Sequence, residues 1–187
     1  NELDKTDMEL EREAIERAQA EANRALGAVE KPVKSYPKVT AFLNQFKIAR
    51  HRYKFLVLSG PSRVGKTAFA RTLCDTSYET LEINCAGGTE PDLRAYRLSK
   101  HGLILFDEIQ ADQVAAQRKL FQAGNCDVQL GCSATNCHSY PVFVWRKKLV
   151  LASNSWHETV ASLPPDAKEW IKSNCIVLDV KERMWIE

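Results

Sequence analysis

The segment from Gly60 to Thr67 reads GPSRVGKT and matches the pattern G-x-x-x-x-G-K-[ST] at every fixed position. It follows the apolar run Phe55–Ser59 and precedes the alanine-containing segment Ala68–Leu73, so a strand, a loop and a helix are predicted in that order. Two glycines let the backbone wrap closely, with its N–H groups facing a polyphosphate. This context favours a phosphate-binding loop (the phosphate loop, residues 60–67) over a chance glycine turn.

The residue types in the phosphate loop predict ATP and Mg²⁺ as cofactors. Lys66 is expected to reach the β- and γ-phosphates, and the hydroxyl of Thr67 to bind Mg²⁺. We predict nucleotide contacts along the whole loop: Gly60, Pro61, Ser62, Arg63, Val64, Gly65, Lys66 and Thr67.

Downstream, strand and helix patterns alternate, which favours a parallel sheet covered by helices. The predicted fold class is α/β: an AAA+-like P-loop NTPase sandwich of three layers, with a central five-stranded, mainly parallel sheet, a protruding β-hairpin and an N-terminal helical segment. The second strand alternates in polarity and is expected at an edge, whereas the others read as buried runs. The five strands are predicted at Phe55–Ser59, Glu79–Asn84, Leu103–Asp107, Lys148–Ser153 and Cys175–Val180.

Two strands end in polar residues that suit phosphate chemistry. The apolar run from Leu103 ends at Asp107 and Glu108, which are predicted to orient a water on Mg²⁺ and to polarise the attacking water, respectively. The run from Leu149 ends at Asn154, whose amide can both donate and accept hydrogen bonds and so hold the water or sense the γ-phosphate. The alternative for Asn154 is a residue that only caps the next turn. Lys66, Glu108 and Asn154 are the predicted catalytic residues, and Thr67 and Asp107 the predicted metal ligands.

A hairpin is predicted between these two strands. Its arms are 127–130 and 140–145, and a polar stretch, 131–139, joins them. A protruding polar loop with basic residues at its root can follow a phosphate backbone without reading sequence, although a passive surface hairpin fits the same pattern. The candidate nucleic-acid contacts are Asn136, His138, Arg146, Lys147 and Lys148.

The N-terminal part is predicted to be helical and separate. A long exposed helix is expected from Glu2 to Leu26, with a thin apolar stripe that needs a partner, either another subunit or its own domain. A proline-containing linker, 30–38, and a short amphipathic helix follow. We therefore predict residues 1–50 as an oligomerisation segment with linker, and 51–187 as the ATPase domain.

Charge and composition narrow the setting. Residues 1–30 carry nine acidic and four basic side chains, whereas the rest carries 22 basic and 15 acidic ones, which suits a polyanionic partner for the body or a merely solvated surface. No apolar run approaches the roughly 18 residues of a membrane helix. The six cysteines are expected to be free thiols, because nucleotide-loop proteins work in reducing compartments. An intracellular protein with no membrane partner is expected.

The order of phosphate loop, Asp-Glu strand, hairpin and Ser-Asn strand resembles that of the superfamily 3 helicases, in particular the replication initiator (Rep) proteins of circular single-stranded DNA viruses and related plasmids. The resemblance covers residues 55–180, and its most specific pieces are GPSRVGKT, ILFDE and ASN. It implies a homo-oligomeric, hexameric ring with ATP between subunits and hairpins facing single-stranded DNA. It also implies an arginine finger acting in trans, for which Lys172 and Arg183 are the candidates, and the host nucleus as location if the protein is viral.

Two function classes remain open from the sequence. The first is an Mg²⁺-dependent ATPase that drives a DNA helicase or translocase in the replication of a virus- or plasmid-like element. The second is a nucleotide-dependent switch or assembly ATPase without DNA translocation. The hairpin tip has no lysine and the position before the last strand has no arginine, which favour the second class. The basic body and the position of the hairpin favour the first.

Overall fold

The computed structural model of the protein describes residues 7–27, 32–131 and 138–186. The elements, in chain order, are α1 Asp7–Gly27, α2 Pro37–Asn44, β1 Phe55–Ser59, α3 Lys66–Thr72, β2 Glu79–Asn84, β3 His101–Asp107, α4 Ala111–Ala116, α5 Arg118–Phe121, β4 Val128–Leu130, β5 Tyr140–Val142, β6 Lys148–Ser153, α6 Trp156–Ala161, α7 Pro165–Asn174 and β7 Cys175–Asp179.

The chain divides into two compact units, one containing α1 and the other formed by Val33–Trp185. In the first, the long predicted helix is present and ends at Gly27. Its side chains Leu10 and Ile15 are each 52% exposed. The second unit begins before residue 50, the predicted boundary, because Val39 and Phe42 of α2 bury their side chains in its core.

Five parallel strands form one sheet in the order β2-β3-β6-β1-β7. The register aligns their carboxyl ends, where Ser59 pairs with both Ser153 and Asp179, and Asp107 pairs with Ala152. The loops that leave β1, β3 and β6 therefore start at one edge of the sheet. This alignment positions the candidate site.

The sheet is covered on both faces, as the predicted three-layer sandwich requires. Because side chains alternate along a strand, Phe55 and Val57 belong to one hydrophobic cluster, while Leu56 and Leu58 belong to the other. The first cluster also contains residues of α4, α5 and α7, and the second contains residues of α2 and α3. The central residues of β1, β3 and β6 are apolar because both faces of these strands are packed, and polar residues stand only at the strand ends.

The polarity pattern predicted the position in the sheet correctly for one edge strand and wrongly for the other. β2 alternates in burial and lies at one edge, as predicted. The apolar run of β7 predicted a buried strand, and this was wrong: β7 pairs only with β1 within the described sheet, forms the other edge, and is half-buried. An apolar run indicates that its side chains can be buried. It does not indicate whether the strand has a neighbour on one side or on both.

The predicted hairpin is present as the antiparallel pair β4–β5, in which Val128 faces Val142. The second arm is shorter than predicted: its pairing ends at Val142, and the backbone turns at Trp145 and Arg146, where Arg146 has a φ of 60°. The tip residues 132–137, which include the candidate Asn136, lie outside the described residues.

The described part of the chain contains the helices given above and four of the six cysteines. Among the helices of this part of the chain, none combines the length and apolar character that crossing a bilayer requires. The four described cysteines, Cys74, Cys85, Cys126 and Cys175, are free thiols.

Candidate nucleotide-binding site

The phosphate loop runs from the end of β1 to the start of α3. Its backbone has positive φ angles at Arg63 (65°) and Gly65 (92°). Gly65 tolerates this conformation because it has no Cβ, whereas Arg63 adopts it at a steric cost. The wrapped loop predicted from the motif is therefore present.

Lys66 is buried, with 7% of its surface exposed, and its ammonium group lies inside the loop. Its Nζ donates hydrogen bonds to the carbonyl oxygens of Gly60 and Pro61, both at 2.7 Å, and to Oδ1 of Asn154 at 2.8 Å. Burial lowers the pKa of Lys66, while the negative charge of Asp107 acts in the opposite direction. Three acceptors thus hold this cation at the carboxyl edge of the sheet.

Asn154 connects β6 to the phosphate loop. It follows Ser153, the last residue of β6, and its Nδ2 donates to Oγ of Ser62 at 3.0 Å while its Oδ1 accepts from Lys66. One amide therefore bonds two loop residues at once, which a residue that only caps a turn would not do. The structure thus brings Lys66, Asn154 and Ser62 together, and their roles towards a nucleotide stay predictions.

The two acidic residues lie at the end of β3. The negative charge of Asp107 acts to raise the pKa of Lys66 on α3, against the larger effect of burial. The main-chain carbonyl oxygen of Asp107 accepts from the backbone N–H of Cys85 at 2.8 Å. Glu108 is exposed and has a φ of 55°, with its N–H bonded to Oδ1 of Asp107 at 3.2 Å. A left-handed glutamate costs about 1–3 kcal/mol, and such residues cluster at functional sites.

The oxygen donors of Thr67 and Asp107 fit Mg²⁺, a hard cation that a protein usually holds through one or two side chains together with substrate phosphates. In the part of the chain that the structure describes, no group of three or more His, Cys, Asp or Glu residues could hold a metal ion. An Mg²⁺ ion at these two residues would need the phosphates of a nucleotide and water as its other ligands.

The sequence did not predict that residues 180–185 pack on the phosphate loop. The backbone N–H of Val180 bonds to Ser59 at 2.7 Å, and that of Met184 bonds to Val64 at 3.0 Å. A Cβ on Gly65 would overlap the indole ring of Trp185, and a Cβ on Gly60 would overlap the carbonyl of Val180. Both motif glycines therefore also accommodate this segment, and no local sequence pattern indicates such a contact.

The candidate trans-acting cations lie in different places. Arg183 is in the same C-terminal segment, with its guanidinium 5.6 Å from the centre of the Trp185 ring. Lys172 is exposed in the last turn of α7. Their action on a neighbouring subunit stays a prediction.

The basic residues at the root of the hairpin donate hydrogen bonds to backbone carbonyls of the same chain. Arg146 donates to the carbonyl of Phe46 at 2.9 Å, and Lys147 donates to that of Leu98 at 2.8 Å. Lys148 contacts the carbonyl of Leu73 and the carboxylate of Asp75, at 3.0 and 3.1 Å. Burial lowers the pKa of Lys147. These three cations therefore spend part of their hydrogen-bonding capacity on groups of the same chain. His138, the other described candidate for a nucleic-acid contact, is exposed.

The parallel sheet, the phosphate loop between β1 and α3, and the polar ends of β3 and β6 together define the three-layer α/β fold of the P-loop NTPases. No known protein family matches the sequence, and no curated protein matches it.

Two similar solved structures are crystal structures of NtrX from Brucella abortus. For the complex with ATP the identity is 14% and the TM-score 0.42, and the similarity covers 96% of this chain and 46% of NtrX. For the complex with ADP the identity is 13% and the TM-score 0.45, with 93% and 43% covered. The chain thus spans less than half the length of NtrX, and the fold assignment rests on its own sheet and loop.

Proposed function

We propose that the protein is an Mg²⁺-dependent ATPase that works as an oligomeric helicase or translocase on single-stranded DNA. The hydrogen-bonded group of Lys66, Asn154 and Ser62, next to Asp107, carries the ATPase part of this proposal. A buried ammonium with a backbone loop and an amide at the carboxyl edge of a parallel sheet is suited to hold a polyphosphate.

The residues have separate roles in this proposal. Lys66 exchanges its carbonyl acceptors for oxygens of the β- and γ-phosphates, and Asn154 then contacts the terminal phosphate or the attacking water. Thr67 and Asp107 hold Mg²⁺, which neutralises charge on the phosphates when bound. Glu108 accepts a proton from the attacking water.

The DNA part rests on the resemblance of the motif order to superfamily 3 helicases and on the basic body. The exposed apolar side chains Leu10 and Ile15 of α1 suit packing between copies of the chain, in a ring that is hexameric in the family resembled. Arg183 or Lys172 would then reach the nucleotide of a neighbouring subunit.

ATP turnover measured with and without Mg²⁺ tests the ATPase. Lys66→Ala is expected to abolish turnover while its thermal unfolding remains cooperative, and Lys119→Ala, a change at an exposed lysine of α5, is the control. Normal hydrolysis by Lys66→Ala would refute the assignment. Stimulation by single-stranded DNA at low salt then tests the translocase.

A nucleotide-driven switch or assembly ATPase is the second candidate. The internal bonds of Arg146, Lys147 and Lys148 favour it, because these charges are less available to a phosphate backbone. If saturating DNA changes neither the turnover nor the oligomeric state, the switch replaces the helicase.

A further inference from the structure

A groove of about 440 Å³ lies beside the hairpin, and none of the residues that line it belongs to the phosphate loop. One wall is residues 93–98, which precede β3, and the other is β5 with Phe143. Its volume is in the usual range of ligand sites. We call it the arginine groove, because Arg94 and Arg97 line it together with aromatic side chains.

Hydrogen bonds between the two walls hold the groove in shape. The hydroxyl of Tyr140 accepts from the backbone N–H of Leu93 at 2.8 Å and donates to Asp92 at 3.2 Å. From the opposite wall, the hydroxyl of Tyr96 donates to the carbonyl of Phe143 at 3.0 Å. Both aromatic residues are therefore fixed before any ligand arrives, which reduces the entropy lost on binding.

The two arginines are also positioned. The guanidinium of Arg94 lies 4.6 Å from the centre of the Tyr140 ring and contacts Asp92 at 3.2 Å. Nη1 of Arg97 donates to the carbonyls of Arg94 and Tyr96, at 2.8 and 2.9 Å. Both arginine side chains belong to exposed residues. A planar cation stacked on an aromatic ring is suited to a phosphate on one side and a base on the other.

We infer that the arginine groove binds a nucleotide unit of single-stranded DNA, with the phosphate on Arg94 and Arg97 and the base against the aromatic wall. This inference rests on the proposed function and assigns its DNA contact to residues other than those predicted from the sequence. Segment 92–100 holds three cations and one carboxylate, so its charge complements a phosphodiester. Aromatic and arginine surfaces bind single strands with little sequence preference.

The groove also reaches the hairpin. Because β5 forms one wall, a strand held there lies against the base of the hairpin, whose root cations bind within the chain. The groove therefore adds two exposed guanidinium groups beside the hairpin, and their planar forks can each bind a phosphate through parallel hydrogen bonds.

Fluorescence anisotropy with a labelled oligothymidylate at low salt, with the full chain, tests the inference. Arg94→Ala and Arg97→Ala are each expected to weaken binding about tenfold and to reduce the slope of log affinity against log salt by about one. Phe143→Ala is expected to weaken binding without changing that slope, because stacking releases no counterions. Arg52→Ala, at another exposed arginine, is the control.

Turnover of ATP without DNA and the thermal midpoint are measured on every variant, and both are expected to match the wild type for Arg97→Ala. Arg97→Lys, which keeps the charge and lacks the planar fork, is expected to recover only part of the affinity. If the wild type binds DNA and both arginine variants bind it equally well, the arginine groove is not the DNA site, and the helicase proposal is unaffected. If wild type hydrolyses ATP without binding DNA, the helicase and the groove both fail.

Discussion

The amide of Asn154 accepts a hydrogen bond from the ammonium of Lys66 at 2.8 Å, although 88 positions separate the two residues. The contact exists because β6 lies next to β1, and Asn154 follows β6 as the phosphate loop follows β1. A ligand that accepted a hydrogen bond from this ammonium in place of Asn154 would also change the contacts of the amide.

Replacing this amide should separate turnover from binding. In Asn154→Ala, we expect kcat for ATP to fall about 10²-fold or more, in line with the loss of one transition-state hydrogen-bond donor. The dissociation constant for ATP should change much less, because the backbone of the phosphate loop remains. Steady-state kinetics and equilibrium binding provide the two numbers.

Asn125→Ala, at an exposed asparagine, is the control for this change. An equal loss of ATP affinity and kcat in Asn154→Ala would mean that the amide only supports the shape of the loop.

The contact between Gly65 and Trp185 predicts a sharp cost for one methyl group. Gly65→Ala should lower the free energy of unfolding by more than Gly88→Ala, since both glycines have positive φ, at 92° and 76°, and only Gly65 faces a ring. The φ alone costs about 1–2 kcal/mol, and the clash adds to it. Denaturant unfolding measures both variants.

A double-mutant cycle isolates the clash. In the background Trp185→Ala, the additional cost of Gly65→Ala should approach the cost of Gly88→Ala, because the ring that meets the new Cβ is gone. Additive effects in the cycle would rule out the ring as the cause.

Glu108 combines a left-handed backbone with an exposed carboxylate just after β3. Glu108→Gln should bind ATP and hydrolyse it about 10²–10⁴-fold more slowly, because an amide cannot accept the proton of the attacking water. Binding assays and single-turnover hydrolysis test the two halves.

The same position allows a test of strain. Glu108→Gly should be more stable than Glu108→Ala by about 1 kcal/mol, since glycine adopts a φ of 55° without the Cβ clash that alanine keeps. Equal stability of these two variants would show that the left-handed backbone carries no cost here.

The buried thiol of Cys85 and the half-buried thiol of Cys175 predict a pH dependence of stability. Burial raises the pKa of Cys85 to about 12 and that of Cys175 to about 11, from an ordinary thiol value of 9.0. The native state thus keeps protons that the unfolded state releases above pH 9. The contribution of these thiols to stability is fully present below that pH and is lost progressively as the pH rises towards 11 and 12.

Chemical denaturation at pH 7 and pH 10 measures this contribution. Lysines titrate in the same range, so the free energy of unfolding of the wild type is compared with that of Cys85→Ala at each pH. The difference between the two free energies should be smaller at pH 10 than at pH 7. Cys126→Ala, at an exposed cysteine, is the control variant. A gap that stays constant for Cys85→Ala would contradict the prediction.

Much of the candidate site was predictable because its signals are local. The phosphate loop, the acids after β3 and the amide after β6 each follow an apolar run, and parallel strands bring such ends to one edge. Harder to predict were the edge position of β7 and the internal bonds of Lys147 and Lys148, because both depend on residues far along the chain.

The sequence by itself determined the α/β class, the places of the strands along the chain and the position of the glycine loop after β1, because periodicity and loop glycines act over a few residues. Only the tertiary structure decided that Trp185 covers Gly65, that the root of the hairpin is bonded inside the body, and that Arg94 and Arg97 line a groove with Tyr140. The physical reason is that these contacts join segments through packing and charge, whose partners are chosen by the folded shape and not by neighbours in the chain.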